Sequence, residues 1–148
     1  MWDRSENQIT LVLIRHGATK SNIEHRYLGK TDELLSKEGE RQLVEYKKLH
    51  LYPNIDFLFT SPMKRCIQTA NILYPELQPV QMKEWEEMDF GAFEGKNYVE
   101  LQGNKLYQAW IDSNGTLPFP EGESREEFIT RCNKGFRGMV EKVEQIKE

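Results

Sequence analysis

Three short stretches hold the residues able to do chemistry: Arg15-His16-Gly17, Thr60-Ser61-Pro62 with Arg65 one turn later, and the acidic run Glu84-Trp85-Glu86-Glu87-Met88-Asp89. Each follows a candidate strand: the apolar runs at residues 9–14 and 55–59, and residues 79–83. In open α/β sheets ligands bind beyond the carboxyl ends of the strands. Parallel strands therefore bring a histidine, two arginines, a helix N-terminus and several carboxylates to one edge. Arginine presents a planar fork of donors that matches phosphate oxygens, and a helix N-terminus adds unpaired N–H groups. A neutral imidazole nitrogen can attack phosphorus when a hydrogen bond at the other nitrogen sets the tautomer. Gly17 lets the backbone come close to a ligand. The inventory suits phosphoryl chemistry.

These groups meet only if the chain between them folds to bring them together. Residues 9–14 form a continuous apolar, partly β-branched run, as expected for a strand covered on both faces. A polar segment with Gly17 and Gly29 leads to Ser36, and residues 36–49 read as a helix with Leu43, Tyr46 and Leu49 along one side. Ser61 as N-cap and Pro62 at the first helical position announce a second helix. It carries Cys66, Ile67, Ala70 and Leu73 inward and stops before Pro75. Residues 97–111 read as helical, with Val99, Leu106 and Trp110 as core contacts. After a Pro/Gly-rich turn at 117–122, a last helix opens with the capping box Ser124-x-x-Glu127. Its apolar stripe is Phe128, Ile129, Cys132, Phe136, Met139, Val140, Val143 and Ile146. The alternation of strands and helices argues for a mostly parallel sheet covered by helices.

The 148 residues suffice for one domain with a single core. A formal net charge of −4 argues against a nucleic-acid partner. It also means that an anionic ligand needs a local cluster of cations. Cys66 and Cys132 form no CxxC pair and read as buried free thiols of a reducing cytosol. The polar start lacks the apolar run of a signal peptide. No stretch approaches the ~20 apolar residues of a membrane span. The expectation is a cytoplasmic protein with no membrane partner.

The motifs together resemble the histidine phosphatase superfamily, also called the phosphoglycerate mutase-like family. The likeness is carried by Leu13-Ile-Arg-His-Gly-Ala-Thr-Lys-Ser-Asn22, by Gly29-Lys-Thr-Asp32 and by Leu35-Ser36-Lys-Glu-Gly39. It continues in Thr60-Ser-Pro-Met-Lys-Arg-Cys-Ile-Gln-Thr-Ala70, Glu87-Met-Asp-Phe-Gly91, Glu94-Gly95 and Pro120-Glu-Gly-Glu-Ser124. The resemblance implies a three-layer α/β/α sandwich with the Arg15–His16 strand near the middle of the sheet. It implies His16 as the nucleophile that becomes phosphorylated and Arg15 and Arg65 as the phosphate clamp. Asn22 matches a pocket position near the phosphate, and Glu87 a proton donor to the leaving oxygen that later activates water. No metal or other cofactor is implied. The implied substrate is a small phosphorylated metabolite, and the likeness is to the phosphatase branch that includes alpha-ribazole phosphatases. Phosphoglycerate mutase-type transfer, or a weak or inactive relative that only binds phosphate, are the alternatives.

The chain departs from the family pattern in one respect. The family has a second catalytic histidine on a late strand, and His25 and His50, the remaining histidines, fit neither that place nor that role. Residues 1–148 are therefore expected to be one histidine phosphatase domain that is incomplete at its C-terminus. The acidic run also admits a plainer reading as a solvated face, with Glu86 as the alternative to Glu87. Trp85 and Phe90 read as packing residues, and Glu123-Ser124 first as a helix cap and second as a site element. His25 and His50 read as surface positions, His25 with a possible contact to substrate.

Overall fold

The computed structural model describes residues 8–147; the chain start up to Asn7 and the final Glu148, both within the expected 1–148 domain, lie outside them. The regular elements are α1 (Lys20–Ile23), α2 (Lys37–Lys48), β1 (Phe59–Thr60), α3 (Lys64–Leu73), β2 (Val80–Gln81), α4 (Lys105–Asp112) and α5 (Arg125–Lys147). Single 3-10 turns lie at Lys83–Trp85 and Gly91–Phe93. β1 and β2 pair in parallel, with Phe59 opposite Val80 and Thr60 opposite Gln81. Ala70 and Leu73 of α3 and Met139 and Val143 of α5 all face the space beside residues 53–61. Helices α3 and α5 thus both border the cleft beside the parallel pair, and helices with a parallel sheet make up the α/β class expected.

Residues 9–14 depart from their reading as a doubly covered strand. No backbone hydrogen bond joins them to any other described residue. Ile9, Leu11, Val12 and Leu13 are exposed, Leu13 by 86%. A cleft of about 560 Å³ lies between this segment and residues 53–61. Apolar, β-branched residues supply side chains for two faces, but a strand also needs neighbours for the N–H and C=O groups on its edges. Among the described residues neither edge of 9–14 has one. Only Ile14 reaches the core formed by Leu35, Leu43, Leu73 and Tyr74. The same cleft borders residues 55–59, of which Phe59 alone enters β1.

The helices follow their caps more closely. Ser36 accepts from the Gly39 amide at 2.9 Å and starts α2 where expected. Gly39 and Leu43 are buried in α2, whereas Tyr46 and Leu49 face solvent. At Gly39 a Cβ would lie 2.2 Å from the Ala18 carbonyl oxygen, so α2 meets the turn after His16 backbone to backbone. Leu43 extends that contact to Gly17, where a Cβ would lie 2.7 Å from its side chain.

α3 begins later than Ser61-Pro62 suggested: Met63 is its N-cap, with no side-chain cap. The Asp32 carboxylate, from a distant loop, accepts the Lys64 amide at 2.7 Å and satisfies an orphan donor of that terminus. α4 covers only the later part of residues 97–111, capped by Asn104. Turns precede it, so Leu101 is buried while Val99 and Leu106 are exposed. Leu101 joins Phe93 and Phe119 in a second core, with Tyr27, Phe90, Tyr107 and Trp110 packed around it. In α5 the capping box forms as expected, Ser124 N to Glu127 at 2.9 Å and Glu127 N to Ser124 at 3.1 Å. Met139 and Val143 are buried, but Ile129, Phe136 and Ile146 of the proposed stripe are exposed. Among the described residues no helix is long and apolar enough to cross a membrane.

Candidate functional site

His16 lies where residues 9–14 turn toward α1. Its Nδ1 is 2.7 Å from the Gly17 carbonyl oxygen. A carbonyl only accepts, so Nδ1 carries the proton and Nε2 keeps its lone pair. Burial pushes the imidazole pKa below its ordinary value, opposed by the Gly17 hydrogen bond. The positive charges of Arg65 and Arg15 lower it further, and Glu87 acts against them. The fields of both arginines and of Glu87 reach His16; that of Glu86 is not among the influences on it. Of the two candidate carboxylates, Glu87 is the one whose charge acts on the His16 imidazole.

The turn that carries His16 is tied down on its C-terminal side. The Gly17 amide donates to Thr69 Oγ1 at 3.0 Å, and the Ala18 carbonyl accepts from both the amide and the hydroxyl of Ser36. Thr19 caps α1 in a reciprocal box with Asn22. Asn22 Oδ1 accepts from the Thr19 amide at 3.0 Å, which leaves its Nδ2 donors without a partner among the described residues. Asn22 is thus a cap first, with a donor to spare.

Arg65 sits in the first turn of α3 and is 1% exposed. A cation is disfavoured at that end of a helix. Two backbone carbonyls hold it there: Nη1 donates to Thr31 at 3.0 Å and Nη2 to Gly29 at 3.1 Å. Its Nε–H is buried with no partner among the described residues. Two of the five guanidinium N–H groups are therefore spent, and the others remain for an anion. Arg15 is exposed, and no described carboxylate forms an ion pair with it.

Glu87 is half-buried, and its Oε1 accepts from the Met88 amide at 2.7 Å. The loop around it is held by Arg131 of α5, whose Nη1 donates to the carbonyls of Glu84 and Glu86 and whose Nη2 donates to that of Glu87. Trp85 packs on Gly135 of α5 and donates to the Cys132 carbonyl at 3.3 Å. Phe90 lies 5.0 Å from Phe119, ring to ring. Both aromatic residues are packing residues, as expected.

Sequence reasoning missed three contributors. Thr69 links the turn carrying His16 to α3, and its place in the Gln-Thr-Ala segment was its only signal. Glu94 accepts from the Gly29 and Thr31 amides, at 2.8 and 3.1 Å, and so sets the loop whose carbonyls grip Arg65. Arg131 gave no signal for this role, because the carbonyls it holds lie more than forty residues away. His25 and His50 are exposed turn residues with φ of 55°, each just past the end of a helix. Cys66 and Cys132 are free thiols, half-buried, and burial pushes both pKa values up.

A family model described as the histidine phosphatase superfamily (branch 1) matches residues 11–146. The chain is 40% identical over 125 residues to the uncharacterized phosphatase PhoE of Bacillus subtilis, covering 83% of this chain and 60% of that protein. It is 31% identical over 139 residues to a 2,3-bisphosphoglycerate-dependent phosphoglycerate mutase of Bifidobacterium longum, covering 86% of this chain and 56% of that protein. Among solved structures, it superposes on the alpha-ribazole phosphatase of Shigella flexneri with a TM-score of 0.75 at 25% identity, covering 88% of this chain and 67% of that one. The chain therefore spans somewhat over half the length of the curated relatives it matches.

Proposed function

The chain belongs to the histidine phosphatase superfamily, and from that premise we propose that it hydrolyses a small phosphomonoester through a phosphohistidine on His16. The observation that carries the reading is the tautomer of His16. Nδ1–H is committed to the Gly17 carbonyl, and Nε2 is left as a neutral nucleophile inside the fields of Arg65, Arg15 and Glu87.

The Nε2 lone pair attacks phosphorus while the bond to the ester oxygen breaks. The electron pair stays on that oxygen, which takes a proton from the Glu87 carboxyl and departs as an alcohol. Water then gives a proton to the Glu87 carboxylate as its oxygen attacks phosphorus. The N–P bond breaks, and its electrons return to Nε2. Arg15, the uncommitted N–H groups of Arg65 and the Asn22 amide donate to the phosphoryl oxygens. Positioning and charge stabilisation of this kind supply most of the catalysis in phosphoryl transfer. Likeness to PhoE and to the alpha-ribazole phosphatase supports water as the acceptor. Transfer to a second phosphorylated metabolite, as the name of the mutase relative describes, shares the first displacement and differs only in the acceptor.

The test is incubation with p-nitrophenyl phosphate in EDTA, without a phosphorylated acceptor. Release of inorganic phosphate that disappears in His16→Ala, with an acid-labile phosphoryl adduct on His16 by intact mass, is expected. Phosphate binding with no turnover and no adduct overturns the proposal in favour of a binding module. Adduct formation with discharge only on adding a phosphorylated acceptor overturns it in favour of a mutase.

A further inference from the structure

Arg131 makes more directed contacts than any other side chain near the site, and the reaction as written does not use it. Nε donates to Glu123 Oε1 at 2.6 Å and Nη2 to Glu123 Oε2 at 2.9 Å, a bidentate pair. The remaining donors go to main-chain carbonyls: Glu84 at 2.9 Å, Glu86 at 2.6 Å and Glu87 at 3.1 Å. The guanidinium also lies over the Phe128 ring, 4.9 Å from its centroid, which restrains its plane. Glu123 in turn accepts from the Asp89 amide at 3.2 Å, and its own amide donates to the Asp89 carbonyl at 2.9 Å.

The main chain on both sides of Glu87 is thus fastened, at residues 84, 86 and 87 by Arg131 of α5 and at residue 89 by Glu123, which precedes that helix and is itself paired with Arg131. Between these two fastenings lies the Met88 amide, the group that holds Glu87 Oε1. Neither fastening touches the Glu87 carboxylate.

We infer that Arg131 is a positioning residue that, through Glu123 and three backbone carbonyls, sets the Glu87 carboxyl for its protonation of the leaving oxygen. The inference rests on the role given above to Glu87. A guanidinium is required because five donors in one plane meet a carboxylate and three carbonyls; a lysine has three donors on a single nitrogen. A merely structural arginine would, when replaced, lower activity toward all substrates alike. An arginine that positions the acid costs most where the leaving oxygen most needs a proton.

The experiment compares wild type, Arg131→Lys and Arg131→Gln on p-nitrophenyl phosphate, whose leaving group departs readily as an anion, and on glycerol phosphate, whose alkoxide does not. General acid catalysis is worth about 10²–10⁴-fold, so kcat on glycerol phosphate should fall at least about tenfold more than on p-nitrophenyl phosphate. In parallel, the Met88 amide proton is followed by NMR as pH is lowered. In wild type its shift follows protonation of Glu87; in the variants that response is lost. If Arg131→Gln does not fold, Glu123→Gln, which keeps the side-chain shape and removes the partner charge, takes its place. Equal losses on both esters, or an unchanged Met88 titration, overturn the inference. Should wild type hydrolyse neither ester, the phosphatase reading fails, while the Met88 titration still decides whether Arg131 orders Glu87.

Discussion

The Gly17 amide and the Arg65 carbonyl share one hydroxyl: Thr69 Oγ1 accepts from the first at 3.0 Å and donates to the second at 2.8 Å. A single buried side chain thereby couples the turn carrying His16 to the helix carrying Arg65.

Thr69→Val keeps the shape and removes the hydroxyl, leaving the Gly17 amide without its acceptor. Stranding a buried donor costs about 1–3 kcal/mol. Chemical denaturation should show a loss of that size, with Thr69→Ser close to wild type. Phosphohistidine formation should fall in the valine variant even at temperatures where it is fully folded.

Gly39→Ala tests the contact between α2 and the turn after His16. Its new Cβ would lie 2.2 Å from the Ala18 carbonyl oxygen and 2.9 Å from the Ala18 amide nitrogen, and neither group can swing aside. Overpacking of this kind costs about 1–3 kcal/mol. An alanine elsewhere in a helix stabilises relative to glycine, so a lowered melting temperature here checks that the clash dominates.

The depressed pKa of His16 makes a pH prediction with a definite sign. Below its ordinary value of 6.5 the unfolded chain binds a proton that the folded chain resists. The stabilising contribution is present above that pH and is lost as pH falls from there through the folded-state value. His16→Gln should flatten this part of the stability curve, read from denaturation midpoints across the acid range. In turnover, the acid limb assigned to His16 should lie below pH 6.5, because the imidazole stays neutral further into acid.

Backbone amides at residues 10–14 lack acceptors among the described residues, while those of Thr69 and Ala70 lie in the body of α3. Native-state hydrogen exchange should find the former close to unprotected and the latter among the slow set. Slow exchange at Leu11 and Leu13 would contradict the arrangement described for that segment.

What was legible in the sequence is what depends on near neighbours. Ser36 and the Ser124–Glu127 box placed two helix starts correctly because a cap and its amide are three residues apart. Part of the candidate site was legible for a related reason: Arg15, His16, Arg65 and Glu87 each follow a stretch that reads as a strand, and the charges of the other three act on His16. Distant partners were not legible. Asp32 moves the start of α3 by taking the Lys64 amide. Arg131 finds carbonyls more than forty residues away. Residues 9–14 have the composition of a strand, but pairing is decided by what lies alongside, which no window of the sequence contains.

The one-sided attachment of His16 sets which parts of the chain govern the placement of its imidazole. Upstream, residues 9–14 offer it no ladder of hydrogen bonds; downstream, Gly17, Ala18 and Thr19 are pinned to α3, Ser36 and α1. The imidazole takes its coordinates from helices as a hinge leaf takes them from its pin. Substitutions that loosen residues 9–13 therefore leave the aim of Nε2 intact, whereas small changes at Ser36, Gly39 or Thr69 redirect it.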